Sequence, residues 1–295
     1  MANGQTTIAY FSTPAIIFEV LLMFHKPFIH AFFALLCLSL ASAPALAQTG
    51  LELMQQYQRL HEVNTEYTHS SMTLVNKKGR KRERIMQTYE KKSASGENRS
   101  LLKFLAPRKI FNVGLLTWQH SGEADDDQWL YLPASKRVKR IASAGKKNPF
   151  MGSDLSFEDM QAEDLPAHIY KVVGEEDIDG QTCWKIEALP ATKKEARASA
   201  YGKRFIWLRK DITYPVKMDF FNRRDALMKQ ASYEDLEQIK GSVSGTVWRH
   251  NKSVMSTLKK KTSTVIVIDK RQIGLPIEEN QFNQQVLKRP PVVDK

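Results

Sequence analysis

Residues 125–160 read DDDQWLYLPASKRVKRIASAGKKNPFMGSDLSFEDM. The first half of this stretch predicts a β-hairpin. Trp129 and Tyr131 share one face of the first strand, and Leu130 and Leu132 share the other, because side chains alternate along a strand. A strand that is apolar on both faces is covered on both sides, so other parts of the chain must lie over this sheet.

The hairpin also carries a cluster of positive charge. Pro133 ends the first strand, and the chain returns over Val138–Ala142. The four bases beside this turn are Lys136, Arg137, Lys139 and Arg140. They fit two interpretations: a site for anionic head groups or an acidic partner, or a solvated edge that discourages aggregation.

The second half of the stretch predicts a lid. The segment Phe150–Met160 has the loop residues Gly152 and Ser153 and follows Pro149, yet it is rich in large apolar side chains. These side chains are Phe150, Met151, Leu155, Phe157 and Met160. Leaving them in water would forfeit about 1.5–3 kcal/mol each. We therefore expect the segment to lie on the sheet as a short helical lid.

Three acids of the lid have two interpretations. Asp154, Glu158 and Asp159 form either a catalytic carboxylate set or the cap and flank of a short helix. The pattern favours the second interpretation, with Ser156 as the cap and Asp159 three residues later.

The N-terminus predicts a targeting segment. Lys26 precedes an apolar run from Ala31 to Leu40, and Ala45-Leu46-Ala47 has the small-x-small pattern of a signal-peptidase site. We predict a signal peptide over residues 1–47, cleavage near Ala47, and a mature protein in the periplasm of a Gram-negative bacterium. The alternative is a membrane anchor, for which the apolar run is short. Met23 is an alternative start, since residues 23–47 alone have signal-peptide proportions.

The net charge limits the classes of binding partner, and the cysteine content limits the possible disulfides. The formal net charge is +12, and residues 1–47 hold one acid and one base, so residues 48–295 keep the whole charge. Outside the cytoplasm, anionic lipid head groups or an acidic protein surface are better partners than nucleic acid. The chain has two cysteines, and with Cys37 in the N-terminal apolar run only Cys183 remains downstream. We expect Cys183 to be a buried small residue without a disulfide partner.

The remaining chain predicts one mainly β domain over residues 48–295. A helix is expected from Thr49 to about Tyr67, with Thr49 and Glu52 as a capping box. Strand patterns then dominate and predict roughly eleven antiparallel strands joined by short turns. Among the later segments we expect separate strands at Val243–His250 and Val254–Leu258, and a terminal turn or short helix over Ile277–Leu287. A sheet of this size tends to curl, and a curled sheet covered by a helix and a lid encloses an apolar pocket.

Known catalytic motifs are missing from the sequence. The histidines do not show metal-ligand spacing, and there is no nucleophile elbow, phosphate loop or dinucleotide fingerprint. We therefore predict neither an enzyme nor a bound cofactor or metal.

Several motifs resemble a known family. The order of signal peptide, helix and long antiparallel sheet is similar to the LolA/LolB superfamily of periplasmic lipoprotein carriers. The central motifs resemble, more narrowly, the branch called outer membrane lipoprotein-sorting protein, over roughly residues 50–290. The motif residues are Trp129–Pro133, Arg137–Ile141, Phe150–Asp154, Phe157–Met160, Tyr214–Lys217 and Phe282.

The resemblance implies a fold and a function. The fold is an unclosed β-barrel with an N-terminal helix and a lid on its concave side, around a cavity for acyl chains. The cargo would be a lipid or an acylated protein. The partner would be an inner-membrane exporter of the resistance-nodulation-division (RND) or MMPL type, served by a monomeric carrier.

The candidate cavity residues combine the lid with large apolar side chains on the strands. They are Trp129, Tyr131, Phe150, Met151, Leu155, Phe157, Met160, Trp184, Phe205, Trp207, Met218 and Phe220. Each of them fits ordinary core as well, and a one-residue slip in register exchanges the two faces. Three functions remain open: a hydrophobic-ligand carrier, an adaptor subunit of an envelope transporter, and an enzyme acting on envelope lipid or glycan.

Overall fold

The computed structural model describes residues 1, 48–93, 95–120, 124–242 and 245–292. From Gln48 onward these residues belong to one unit of the chain, Gln48–Lys295. The predicted signal peptide lies outside the described residues, apart from Met1, and stays a prediction.

One antiparallel sheet contains every strand of the described chain, in the spatial order β6-β5-β4-β3-β2-β1-β13-β12-β11-β10-β9-β8-β7. The strands are β1 Thr65–Val75, β2 Lys81–Lys92, β3 Asn98–Ala106, β4 Gly114–Gln119, β5 Asp127–Leu132, β6 Arg137–Arg140, β7 His168–Ile178, β8 Gln181–Pro190, β9 Lys203–Arg209, β10 Tyr214–Phe221, β11 Leu227–Ser242, β12 Gly245–Thr257 and β13 Thr262–Ile273. In this part of the chain β6 and β7 are the two free edges, so the curled sheet is not closed. The predicted mainly β, LolA-like fold is confirmed.

The strand count of thirteen corrects the expected count of roughly eleven. The strand bounds differ as well, because Val243–His250 and Val254–Leu258 were expected as separate strands, but Gly245–Thr257 forms one strand, β12. Its partner β11 continues to Ser242. The polar residues of this long hairpin hide the strand pattern, because apolar alternation marks only strands that face a core.

Three helices accompany the sheet in the described residues: α1 Gly50–Leu60, α2 Lys193–Ala198 and α3 Gln284–Lys288. The predicted capping box of α1 is present, since Thr49 N donates to Glu52 Oε2 at 2.7 Å and Glu52 N donates to Thr49 Oγ1 at 3.2 Å. The helix ends at Leu60 rather than near Tyr67, because Tyr67 belongs to β1 and packs its ring 5.0 Å from that of Tyr89. None of the described helices combines the length and apolarity needed to cross a bilayer.

The sheet has an inner and an outer face, and each is covered. The inner face, which carries Leu102, Leu130 and Ile206, packs against α1 and the lid. The outer face of β3–β5, which carries Leu116 and Tyr131, is covered by the C-terminal segment with Ile277, Phe282 and Leu287. The β5 strand is therefore apolar on both faces and covered on both, as its sequence predicts.

Helix α1 packs closely on the inner face of the sheet. Leu53 and Met54 are buried against residues of β7, β8 and β9. At Gly50 a Cβ atom would lie 2.7 Å from the carbonyl carbon of Tyr170. The helix therefore begins in direct contact with the backbone of β7, and a larger residue there would push it off the sheet.

Candidate ligand cavity

The lid, Phe150–Met160, crosses the inner face because it connects two opposite edges of the sheet, β6 and β7. Phe150 is fully buried and Phe157 is nearly so. The Phe150 ring lies 5.9 Å from the ring of Phe104 on β3 and 5.5 Å from that of Phe157. The helical part of the lid is a single 3₁₀ turn, Glu158–Met160.

Backbone and polar contacts fix the lid to the strands beneath it. Arg84 Nη2 donates to the Met151 carbonyl oxygen at 2.9 Å, and Gln128 Nε2 donates to the Phe157 carbonyl oxygen at 3.0 Å. The Thr264 hydroxyl on β13 donates to Asp154 Oδ2 at 2.9 Å. The lid is thus tied to β2, β5 and β13.

The lid carboxylates Glu158 and Asp159 act as structural anchors in this geometry. The expected Ser156–Asp159 pairing is present one residue before the N-cap position of the 3₁₀ turn, since Asp159 N donates to Ser156 Oγ at 3.2 Å and Asp159 Oδ2 accepts from Ser156 N at 2.7 Å. Asp159 also accepts from the Tyr201 hydroxyl at 2.8 Å and pairs with Lys229 at 3.2 Å. Glu158 accepts from Ala200 N at 2.9 Å. Burial raises the pKa of Glu158. With these bonds made inside the fold, the acids have the capping and flanking role that the sequence favours.

A buried ion pair holds the segment after the lid. Glu163 accepts two hydrogen bonds from Arg204, at 2.8 and 2.6 Å, and a third from the Tyr170 hydroxyl. Burial by itself raises the pKa of Glu163, but the adjacent Arg204 guanidinium outweighs burial and lowers that pKa to about 2. This carboxylate is therefore ionised throughout the neutral range.

A large open cavity of about 1140 Å³ lies on the inner face, lined by residues of α1, the lid and the strands. This volume is slightly above the usual range for ligand pockets, about 300–1,000 Å³. Its apolar lining includes Met54, Met86, Leu102, Leu115, Leu155, Met160, Met218, Phe220, Met255, Ile266 and Ile268. Five of the ten methionines of the chain are in this set. Methionine adapts its shape to different ligands, so this lining suits a variable apolar guest.

One end of the cavity is charged. Glu66 accepts from Arg249 Nε at 2.9 Å and from Arg271 Nε at 2.8 Å, so two guanidinium groups share one carboxylate. Glu90 lies directly opposite Glu66 in the β1–β2 register. Its side chain is accessible from the cavity, but the surrounding protein removes bulk water and, together with the charge of Glu66, raises the pKa of Glu90 to about 7.

Two neutral histidines contact Tyr214, which packs against Tyr57 of α1. His61, at the end of α1, accepts from Trp248 N at 3.2 Å, and its ring lies 5.1 Å from that of Tyr214. Burial lowers the pKa of His61, and burial with the nearby arginines lowers the pKa of His250 to about 4. No group of three or more possible metal ligands occurs in the part of the chain that the structure describes.

Comparisons with known proteins identify the family. A family model with the description "Uncharacterized protein" matches residues 96–289. A domain from Vibrio parahaemolyticus described as an outer membrane lipoprotein-sorting protein is 31% identical, and the match covers 81% of this chain and 98% of that one, with a TM-score of 0.75. The chain belongs to the outer membrane lipoprotein-sorting protein family.

Two further structures extend this result. A DUF1329 family protein from Desulfovibrio piger is 28% identical over 81% of this chain and 97% of that one, with a TM-score of 0.75. A LolA superfamily protein from Nitrosomonas europaea is 14% identical over 81% of this chain and all of that one, with a TM-score of 0.62, and shows the shared fold alone. No curated protein sequence matches the chain. The resemblance given by the motifs is confirmed.

In this member of the family, the predicted cavity residues divide into three groups. Leu155, Met160, Met218 and Phe220 line the cavity. Phe150, Met151 and Phe157 pack into the core under the lid, and Trp184 packs with the core that contacts α1. Trp129, Tyr131, Phe205 and Trp207 alternate with inward-facing residues and lie on the outer face, away from the cavity.

Lysine side chains cover the outer-face aromatics of β9. Lys217 Nζ lies 4.1 Å from the ring centre of Trp207, and Lys185 Nζ lies 5.0 Å from it. The Trp207 indole donates to Glu176 at 2.7 Å. These contacts explain how Trp207 can be buried on the outer face, because lysine stems cover apolar surface while their charges stay in water.

The basic hairpin lies at the free edge β6. Lys136, Arg137, Lys139 and Arg140 are all exposed, and the Arg140 guanidinium forms an ion pair with Asp127. This position fits both interpretations of the four bases, so their role stays a prediction. Cys183 is buried and free, as expected.

Most of the charged and hydroxyl-bearing residues that line the cavity are not predicted by the sequence patterns. Glu66, Ser70 and Arg271 lie in strands whose alternation is visible, but polar residues at those positions are typical of a solvated face. Their pairing opposite Glu90, Met86 and Thr68 reveals that they face the cavity. The sequence signal for these residues is a charged or hydroxyl-bearing side chain that alternates in phase with the buried apolar side chains of the same strand.

Proposed function

We propose that the protein is a carrier that holds the apolar part of a lipid, or of an acylated protein, in the inner-face cavity. The observation that carries this proposal is the methionine-rich cavity of about 1140 Å³ between α1 and the lid. Family membership supports it, because the Vibrio parahaemolyticus relative is described as a lipoprotein-sorting domain. The proposed role is binding and transfer rather than catalysis, since the lid acids are used as anchors.

The proposed setting is the periplasm of a Gram-negative bacterium, reached after cleavage near Ala47. The support is the apolar N-terminal run and its small-x-small site. The carrier works as a monomer with an inner-membrane exporter of the RND or MMPL type, a partner that the family resemblance implies. N-terminal sequencing of the secreted protein should begin near Gln48. A chain that retains residues before Ala41 would contradict the cleavage.

The direct test of the carrier function is the content of the native protein. Mass spectrometry of organic extracts from protein purified without detergent should find lipid in stoichiometric amount. Delipidated protein should then bind the hydrophobic dye N-phenyl-1-naphthylamine, and added lipid should displace the dye.

Two neighbouring residues of β13 provide a matched pair of variants. Ile266 lines the cavity, and Val267 is exposed on the opposite face. Ile266→Trp should fill the cavity and reduce dye binding, whereas Val267→Trp should leave it unchanged. If the protein carries no lipid and Ile266→Trp does not affect dye binding, the inner face is ordinary core and the adaptor function is favoured instead.

A further inference from the structure

The cavity changes in polarity along the first two strands. From one end of β1 to the other, the side chains on the inner face are Glu66, Thr68, Ser70 and Met72. The facing residues of β2 are Glu90, Thr88, Met86 and Arg84 in the same order. With a rise of about 3.4 Å per residue, the two glutamates give way to hydroxyl groups and then to Met86 and Met72 within about 20 Å, where Arg84 donates to the lid at the Met151 carbonyl oxygen.

Ser70 lies at the boundary between the polar and apolar parts. It lines the cavity, is 1% exposed, and its hydroxyl has no hydrogen-bond partner among the described protein groups. Its neighbours across the strands are Met86 and Ile268, which cannot supply one. A buried hydroxyl without a partner is unfavourable. A water molecule or a polar group of a ligand in the cavity would supply this partner.

The charged end of the cavity has an unused hydrogen-bond donor. Arg271 uses all three guanidinium nitrogens, on Glu66, Asn251 and the His250 carbonyl oxygen. Arg249 uses Nε on Glu66 and Nη1 on the Trp248 carbonyl oxygen, while its Nη2 has no partner in the described part of the chain. Two guanidinium groups face the full charge of Glu66, and the raised pKa of Glu90 opposite it reduces the second negative charge, which leaves this end attractive to an anion.

The spacing of these groups matches an ester-linked lipid. Arg271, which shares Glu66 with Arg249, lies opposite Thr68, and Thr68 is two residues, or about 7 Å, from Ser70 along β1. An anionic head group and the first ester of an acyl glycerol phosphate are separated by a few bonds. Beyond Ser70, the chain would meet Met86, Ile266 and Met255, which line the cavity toward the lid.

We propose that the cavity selects acyl esters with an anionic head group, which places the phosphate at Arg249, the ester carbonyl at the Ser70 hydroxyl and the acyl chain in the methionine-rich part. This inference rests on the proposed carrier function and adds to it the class of ligand. It also gives the bound lipid one direction, with the head group at the charged end and the chain toward the lid.

Three probes with the same chain length test the proposal by calorimetry on delipidated protein. They are 1-myristoylglycerol 3-phosphate, its 1-O-tetradecyl ether analogue, and neutral 1-myristoylglycerol. We expect the phosphate to strengthen binding of the acyl ester about tenfold to a hundredfold, as for hydrogen bonds to charged groups. Arg249→Gln should remove most of this difference, while Arg271 continues to hold Glu66.

The Ser70→Ala variant tests the ester contact separately. It should weaken the ester probe about threefold to tenfold, as for one neutral hydrogen bond, and leave the ether probe unchanged. Removing an unpartnered hydroxyl should not lower the thermal stability of the empty protein. Ser71→Ala, on the opposite face of the same strand, is the control and should change neither affinity.

The outcomes separate this proposal from the carrier function. Equal binding of the phosphate and the neutral probe would overturn the head-group assignment and leave the carrier intact. Equal weakening of ester and ether by Ser70→Ala would overturn the ester assignment. If none of the three probes binds and the native protein holds no lipid, the carrier function itself is wrong.

Discussion

Arg204 on β9 donates two parallel hydrogen bonds to Glu163, with Nη1 and Nη2 at 2.8 and 2.6 Å from the two carboxylate oxygens. Both side chains are 13% exposed, so the pair is shielded from water and salt. Because Glu163 lies between the lid and β7, this contact fixes the end of the lid connection to the wall of the cavity. The fold thus combines an apolar lid with an ionic attachment.

The Glu163–Arg204 pair should make the free energy of unfolding depend on pH in the acidic range. The pKa of Glu163 is about 2 in the folded protein, against 4.5 for an ordinary glutamate. The pair therefore contributes stability above about pH 4.5 that is lost as the pH falls toward 2, at most about 3 kcal/mol. Thermal unfolding of wild type and Glu163→Gln should differ most at pH 7, and the difference should shrink below pH 4.5 and nearly vanish as the pH falls below about 2. A constant difference over this range would contradict the assignment.

Phe157→Asp should loosen the lid without unfolding the sheet. Phe157 is 7% exposed and packs on Phe150, so losing its ring removes a contact of about 3–5 kcal/mol and buries a charge. Retention of bound lipid during purification should fall, while the far-ultraviolet circular dichroism of the sheet is kept. Phe111→Asp is the control, because Phe111 is 37% exposed and should alter neither property. Full lipid retention by Phe157→Asp would show that the lid does not hold the ligand.

The basic hairpin should attract anionic surfaces. Arg137 and Arg140 are exposed on the edge strand β6 of a chain with net charge +12. Arg137→Glu with Arg140→Glu should reduce sedimentation with phosphatidylglycerol vesicles at low salt, and the difference should vanish at high salt, because screening acts over about 10 Å at 0.1 M.

A second basic turn controls for net charge alone. Lys259 and Lys260 are also exposed, between β12 and β13. Lys259→Glu with Lys260→Glu makes the same change in charge and should have a smaller effect on vesicle binding. If the two double variants behave alike, the attraction depends on total charge and β6 is simply a solvated edge.

Lys103 should hold the C-terminal segment on the outer face. It is 2% exposed, and its ammonium group donates to Asn112 Oδ1 at 2.7 Å, to the Arg289 carbonyl oxygen at 3.0 Å and to the Leu287 carbonyl oxygen. Burial lowers the pKa of Lys103 to about 8.

Replacing the buried lysine with an apolar side chain of similar length tests this role. Lys103→Met should speed amide hydrogen exchange in α3 about tenfold to a hundredfold, as expected for the loss of hydrogen bonds to a charged group. Lys240→Met removes an exposed lysine at the end of β11 and should leave α3 unchanged. Unchanged exchange in Lys103→Met would show that Phe282 and Leu287 hold the segment by packing alone.

Structural features that depend on residues close together in the chain could be predicted from the sequence. The capping pairs Thr49 with Glu52 and Ser156 with Asp159 are each three residues apart, and both form. The alternation of β5 predicted two covered faces, and the apolar lid predicted a segment packed on the sheet. These patterns follow from the fixed geometry of helices and strands, which any sequence of this kind must obey.

Only the tertiary structure decided which residues face the cavity. Glu66 and Arg249, which meet at its charged end, are 183 residues apart in sequence. Trp129, Tyr131, Phe205 and Trp207 have the size and apolarity of cavity residues, yet register turns them outward. Facing depends on strand pairing and on what covers each side, and a shift of one residue reverses it. The sequence therefore determined the sheet and its lid, whereas long-range pairing decided the lining of the cavity.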